Sequence, residues 1–252
     1  MRFKFPSAAW WFCLPILLGL TWCIYYPGLR GTFLFDDFAN MPALGSTGPV
    51  THWATFFRYI TSGTADPTGR PLTLLTFLLD GHDWPTAAYP FKRTNVLLHL
   101  INGALLALLM ARLATSFFVV ANKREQTRVI LSSITAATLW MIHPLFVSTV
   151  LYVVQREAML PMTCVLIGLL LWLHGRNQMV QGRTVAGFVW IAVGLFGFTG
   201  FAVLSKANGI LLPMYAVLIE YLLLRRSPQA SGLSALADPL HGKDVTRTGT
   251  TS

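Results

Sequence analysis

The chain has 252 residues, of which 54% are hydrophobic and only 12% are charged. A soluble core of this length could not bury so much apolar surface, so the composition excludes a soluble globular domain and predicts a protein solvated by lipid. The formal net charge of +9 is ascribed mainly to orientation in the membrane, and binding to nucleic acid is not expected.

Six apolar segments are near the roughly 20 residues that a helix needs to cross about 30 Å of hydrocarbon. They lie at about residues 8–26, 95–113, 129–147, 158–174, 185–204 and 209–224. The first could be a signal peptide, but its tryptophan and tyrosine residues suit a retained helix better than a cleavage site. Lys and Arg favour the connections on the side of the N-terminus, which predicts a multi-pass protein with a cytoplasmic N-terminus.

Residues 27–93 form the longest connection, and the predicted topology places it outside. Four apolar residues in it recur at the spacing of one helical face: Trp53, Phe56, Phe57 and Ile60. This spacing predicts a helix that lies in the membrane interface. A second helix is predicted to start around Arg70-Pro71 and to run to Leu79, because proline suits the first helical position. At that length it is too short to cross the bilayer.

The last residues of the chain have a different composition. Residues 227–252 are rich in Ser, Gly, Thr, Pro and Ala and lack hydrophobic periodicity, which predicts a disordered cytoplasmic tail. Residues 1–226 then form one transmembrane module that carries the external loop 27–93. The predicted fold is an all-α, polytopic membrane helix bundle with about six spans and two juxtamembrane helices in the first external loop.

An adjacent acidic pair, Asp36 and Asp37, lies just beyond the first apolar segment. A carboxylate beside apolar surface can act as a general base or orient an acceptor hydroxyl. The alternative is a solvated turn with a helix cap. Both interpretations are open from these residues alone.

Three cations, Arg70, Arg156 and Lys206, fall at the outer ends of predicted helices. Cations there could hold the phosphate of a lipid-phosphate leaving group, whereas the alternative is snorkelling to lipid headgroups. His143 precedes Pro144 at the outer end of the third apolar segment, where a functional and a structural role are both open. No Cys and His spacing typical of metal ligands occurs, so no metal site is predicted.

Six short motifs follow one another along the chain: Phe35-Asp36-Asp37, Gly69-Arg70-Pro71-Leu72, Thr94-Asn95-Val96-Leu97-Leu98-His99, His143-Pro144, Tyr152-Val153-Val154-Gln155-Arg156 and Leu204-Ser205-Lys206-Ala207-Asn208-Gly209. In this order they resemble the membrane part of the transmembrane-and-tetratricopeptide-repeat O-mannosyltransferases and their bacterial relatives, including pilin-type glycosyltransferases. The resemblance covers about residues 10–225. The motif that ends at Arg156 looks more like the bacterial branch, which implies a bacterial inner membrane.

That family belongs to the GT-C class, whose members transfer a sugar from a polyprenyl-phosphate carrier on the non-cytoplasmic side of the membrane. The resemblance implies that Asp36 and Asp37 form the acidic motif, with Asp36 as the principal carboxylate. It also implies that four residues face the donor pocket: Arg70, His143, Arg156 and Lys206. The expected substrates are a polyprenyl-phosphate sugar and a protein or glycan acceptor. No cofactor is predicted, and dependence on a divalent metal is left open.

GT-C enzymes have more spans than the six predicted here, so the resemblance implies an N-terminal half that a further polypeptide could complete. Two other functions stay open: a polytopic transporter or lipid flippase, and a non-catalytic remnant. Transporters often place their sites near the bilayer midplane. Here the ionisable residues gather at the outer ends of the predicted helices, which favours chemistry on a lipid headgroup.

Overall fold

The computed structural model describes residues 8–117 and 122–224, and within these ranges it contains helices and no β-strand. The α-helices are α1 (Ala8–Tyr25), α2 (Asp37–Asn40), α3 (Trp53–Ile60), α4 (Pro71–Phe77), α5 (Ala88–Phe117), α6 (Lys123–Met141), α7 (Phe146–Leu151), α8 (Arg156–Val180), α9 (Thr184–Ala192), α10 (Phe198–Ser205) and α11 (Leu212–Ile219). The all-α prediction is confirmed for these residues. The predicted tail at 227–252 lies outside them.

Five helical stretches in the described part of the chain are long and apolar enough to cross a membrane: Trp10–Arg30, Ala88–Ser116, Val153–Val180, Thr184–Ser205 and Ala207–Leu224. Some join α-helices through short turns of other helix types. For example, α9 and α10 are joined by a π-helical turn at Val193–Gly197. These stretches agree with a multi-pass membrane protein.

The third predicted segment, 129–147, differs from the helix found there. α6 ends at Met141, so the predicted outer boundary was wrong. The cause is Pro144, which disfavours helical backbone at the residue before it and cannot donate a backbone hydrogen bond. The chain turns here and starts the separate helix α7. α6 is also absent from the five membrane-length stretches of the described chain, since Lys and Arg crowd its first two turns.

α8 is packed closely against the following helices through glycine. A Cβ atom built on Gly168 would lie 2.7 Å from the carbonyl oxygen of Gly194, and one on Gly175 would lie 2.6 Å from that of Gly187. Larger residues would therefore separate the backbones, as in other membrane helix pairs built on small residues. This packing holds α8 close to α9 and to the π-helical turn that follows α9.

The segment 27–93 folds over the end of the bundle at which α8 begins and α10 ends, which we call the loop end. The Thr68 hydroxyl donates to the Val203 carbonyl at 3.3 Å, and the Thr73 hydroxyl donates to the Ser205 carbonyl at 3.0 Å. These bonds attach the segment to the last turn of α10. The segment therefore forms a packed layer, in which α5 already begins at Ala88.

The two short helices predicted in this segment are present as α3 and α4. α4 stops at Phe77 instead of Leu79. On α3, Trp53 is 76% exposed and Phe57 is also exposed, whereas Phe56 and Ile60 pack against the apolar core beneath them. The predicted apolar face of α3 is thus divided between the core and the exterior.

Candidate functional site

The segment Tyr152–Glu157 lies at the centre of the polar residues at the loop end. It leaves α7 in an extended conformation at Tyr152, forms a 3-10 turn over Val153–Gln155 and enters α8 at Arg156. Backbone N–H groups at the start of a helix have no acceptor within the helix. Those of Val153 and Val154 are therefore available to a side chain from another part of the chain.

Asp37 supplies the acceptor for these N–H groups. Its carboxylate accepts hydrogen bonds from Val154 N–H at 2.8 Å, Val153 N–H at 3.4 Å and Leu34 N–H at 3.0 Å. The residue is completely buried. Burial raises the pKa of Asp37 above its ordinary value, although these three hydrogen bonds and the charge of nearby Lys92 act in the opposite direction. Asp37 thus attaches the acidic loop to the start of α8.

Asp36 has the opposite environment, since it is exposed. Its backbone N–H donates to the Tyr152 hydroxyl at 2.5 Å, and its carbonyl accepts from the Asn40 side-chain amide at 2.8 Å. The preceding Phe35 is 84% exposed and has a φ of 36°, an unusual backbone angle for an aromatic residue. Of the two predicted catalytic acids, Asp36 is therefore the one that a substrate can reach.

Arg70 and Lys206, two of the predicted phosphate ligands, belong to one charged cluster. We define this cluster as Asp66, Arg70, Glu157 and Lys206. Arg70 Nε donates to Asp66 Oδ2 at 2.8 Å, and Arg70 Nη1 contacts Glu157 Oε2. Lys206 Nζ lies 3.4 Å from Glu157 Oε1. The side chains are 15 to 28% exposed, which makes the charged cluster accessible.

Left-handed backbone conformations at Gly69 and Arg70 direct the Arg70 side chain towards the charged cluster. Arg70 precedes Pro71 of α4 and has a left-handed φ of 56°. Gly69 before it has a φ of 70°, and a Cβ on Gly63 would collide with the Gly69 carbonyl oxygen. The hydrogen bond with Asp66 raises the pKa of Arg70, and the same bond lowers the pKa of Asp66. Both groups are therefore charged at neutral pH.

Arg156, the third predicted phosphate ligand, is buried instead. Its guanidinium donates to Asp80 Oδ2 at 2.6 Å and to Asn95 Oδ1 at 2.8 Å. It also donates to the carbonyls of Thr76 at 2.8 Å and Phe91 at 3.0 Å. The side chains of Arg156 and Asp80 are each 1% exposed. These contacts give Arg156 a structural place between α4, α5 and α8, and they offer no support for its predicted role in binding the donor.

His143 lies apart from the acidic pair and from the charged cluster. It is exposed in the turn between α6 and α7, where its Nδ1 accepts a hydrogen bond from Leu145 N–H at 3.2 Å. Its ring also meets Phe146 edge to face. Within the described ranges, no hydrogen bond joins His143 to the acidic pair or the charged cluster. Its predicted role in donor binding stays a prediction.

Several partners at the site were not predicted as functional residues from the sequence: Asp66, Asp80, Tyr152 and Glu157. Glu157 had a sequence signal, because it lies between the Arg156 motif and an apolar helix. Asp66 had only its position four residues before Arg70, and Asp80 had none. Their other partners are far along the chain: Asp80 is 76 residues from Arg156, and Asp66 is 141 residues from Ala207. Only the folded chain brings these residues together.

A groove of about 490 Å³ opens beside the acidic loop, between the end of α1 and the start of α5. Its lining is mostly apolar and includes Phe33, Phe38 and Tyr89, with Arg30 as the cation. Phe33 and Phe38 flank the acidic pair in sequence. The exposed carboxylate of Asp36 thus belongs to a loop that borders a cleft large enough for part of a substrate.

The described residues contain no group of three or more His, Cys, Asp and Glu side chains that could hold a metal ion. The loop end presents the exposed carboxylate of Asp36, one accessible cluster of charges and an apolar cleft. Comparisons of the chain with models of known protein families, with curated proteins and with solved structures found no match.

Proposed function

We propose that the chain is the membrane module of a GT-C-type glycosyltransferase. It would move a sugar from a polyprenyl-phosphate-linked donor to a protein or glycan acceptor on the non-cytoplasmic face of the membrane. One observation carries the proposal: the six-residue segment Tyr152–Glu157 contacts both the exposed Asp36 and the cations Arg70 and Lys206. A base and a phosphate-binding pair that contact the same short segment suit sugar transfer from a lipid phosphate.

The chemistry assigns a separate task to each group. Asp36 accepts the proton of an acceptor hydroxyl, or orients it, while the hydroxyl oxygen forms a bond to the anomeric carbon of the donor. The bond between that carbon and the phosphate oxygen breaks, and the electron pair stays on the phosphate. Arg70 and Lys206 stabilise this developing negative charge through charge-assisted hydrogen bonds. Asp37 acts as a positioning residue, because it holds the loop that carries Asp36.

The proposed topology has six crossings, with α6 as the third. α5 begins at the loop end and runs 30 residues away from it, whereas α8 begins at the loop end again. The chain must return between them, and α6 packs along α5 and α1. Its 19 residues make it roughly 28 Å long, close to the thickness of the hydrocarbon layer. The basic start of α6 would then face the cytoplasm.

The loop end would lie at the outer surface of the membrane in this topology. There the exposed Trp53 and Phe57 of α3 would insert into the lipid interface, where aromatic side chains are favoured. A membrane-held donor would reach Arg70 and Lys206 at the helix ends. An acceptor would reach Asp36 from the aqueous side.

The test is sugar transfer by the purified chain in lipid nanodiscs. A panel of polyprenyl-phosphate donors, each labelled in its sugar, is supplied with protein and glycan acceptors, with and without the membrane proteins encoded beside this chain. We expect label to move from the lipid to an acceptor with one of these donors. Movement of intact donor between the leaflets of sealed proteoliposomes that contain the chain, without transfer, would contradict the proposal and support a flippase. Binding without either reaction would support a non-catalytic protein.

A further inference from the structure

A single carboxylate contacts both of the cations that we assign to phosphate binding. Glu157 places one oxygen on Arg70 Nη1 and the other on Lys206 Nζ. Two oxygens of one phosphate group would contact the same two cations in the same way. Glu157 therefore has the position that an anionic ligand of this site requires.

The charge balance of the cluster also indicates that a phosphate would have to replace a carboxylate. Its two cations are balanced by two carboxylates, Asp66 and Glu157, so the charged cluster is neutral as a whole. A phosphate that entered beside both carboxylates would add negative charge to a partly buried site, which is unfavourable. One carboxylate has to leave the cations for the phosphate to bind well.

The two carboxylates differ in how firmly they are held. Asp66 binds the Nε of Arg70 and also accepts from the backbone N–H of Ala207 at 3.4 Å. It connects the external loop to the turn after α10 and can keep Arg70 in place when another ligand changes. Within residues 8–117 and 122–224, the Glu157 carboxylate contacts only the side-chain ends of Arg70 and Lys206 and no backbone N–H group. Glu157 is the carboxylate that can be exchanged.

We propose that Glu157 is an internal ligand of the anion site and that a phosphate group exchanges with it on Arg70 and Lys206. This inference rests on the proposed function, in which the phosphate is that of a polyprenyl-phosphate lipid. Glu157 keeps the cations aligned before the donor arrives. After transfer it competes with the polyprenyl phosphate product and promotes its release. It is thus a positioning residue that weakens binding and increases turnover.

The experiment measures binding of a polyprenyl phosphate and of inorganic phosphate to the full chain in nanodiscs. Glu157→Gln keeps the size of the side chain and removes the competing charge, so affinity should rise on the order of tenfold. Glu157→Asp keeps the charge on a shorter side chain, so its affinity should lie between those of the native protein and Glu157→Gln. The matched control is Glu220→Gln, which removes a carboxylate bound to Arg176 on the same helix α8 and should leave affinity unchanged.

The results separate this inference from the proposed function. Tighter binding of both ligands to Glu157→Gln supports exchange on the phosphate itself, and tighter binding of the lipid alone supports a lipid headgroup as the ligand. If Arg70→Ala and Lys206→Ala lose binding while Glu157→Gln binds like the native protein, the exchange is refuted and the phosphate site stands. Native binding by Arg70→Ala and Lys206→Ala would refute the phosphate site as well.

Discussion

The Asp37 carboxylate accepts a hydrogen bond from the Val154 backbone N–H at 2.8 Å, although 117 residues separate the two along the chain. This bond joins the acidic loop after α1 to the turn that starts α8. It fixes where the neighbouring Asp36 lies. The acidic pair therefore consists of an exposed acid and a buried anchor.

Asp37→Asn should destabilise the fold and also impair the proposed sugar transfer. Asparagine offers one carbonyl oxygen to three backbone donors, so at least one N–H is left against its NH₂ group. A buried donor without an acceptor costs about 1–3 kcal/mol. Thermal unfolding in detergent measures this loss. The exposed Asp36→Asn is the control and should change stability by less than about 0.5 kcal/mol. Equal unfolding temperatures for Asp37→Asn and the native protein would contradict the anchor role.

Arg156 and Asp80 should contribute to stability much more than the cations of the charged cluster. Removing one partner of a buried ion pair costs about 3–5 kcal/mol, because the other charge is left unpaired. We expect this loss of stability for Arg156→Ala and for Asp80→Asn. The double variant should lose less than the sum of the two single losses. Unfolding in increasing concentrations of sodium dodecyl sulfate measures it. Arg70→Ala, at an accessible position, is the comparison. Equal stabilities of Arg156→Ala and Arg70→Ala would refute the distinction.

Asp66 should add stability that is lost in acid. The hydrogen bond from Arg70 lowers the pKa of Asp66 in the folded chain below its ordinary value of 3.8. The unfolded chain therefore takes up the proton first as pH falls. The stabilisation is complete above pH 3.8 and disappears as pH falls through the lowered pKa. Unfolding of the native protein and Asp66→Asn should differ at neutral pH and converge in acid. A constant difference at all pH values would contradict this effect.

The two ends of the bundle should lie on opposite sides of the membrane. After replacement of Cys13, Cys23 and Cys164, a single cysteine at Thr64 in the segment 27–93 should react with an impermeant thiol reagent in intact cells. A cysteine at Lys123, where α6 begins, should react only after the membrane is permeabilised. The reverse pattern would place the acidic pair in the cytoplasm and refute the proposed topology.

The sequence predicts the helices well, because length and composition determine which segments lipid can solvate. It could not separate Asp36 from Asp37, since adjacent residues of the same type have the same local pattern. The difference between them comes from backbone donors at Val153 and Val154, more than a hundred residues away. Arg156 and Arg70 also look alike in sequence, as cations at helix ends. Only the folded position of Asp80 makes Arg156 a buried structural group.

Sugar transfer by Asp36→Asn decides whether the exposed carboxylate of Asp36 activates the acceptor, as we propose. It is measured in a preparation in which the native chain shows the proposed sugar transfer, beside Asp83→Asn, which changes another exposed acid of the segment 27–93. Loss of a positioned base lowers rates on the order of 10² to 10⁴. We predict a loss of this size for Asp36→Asn, with unchanged thermal unfolding, and a native rate for Asp83→Asn. Transfer by Asp36→Asn at the native rate would refute the role of Asp36 as the base.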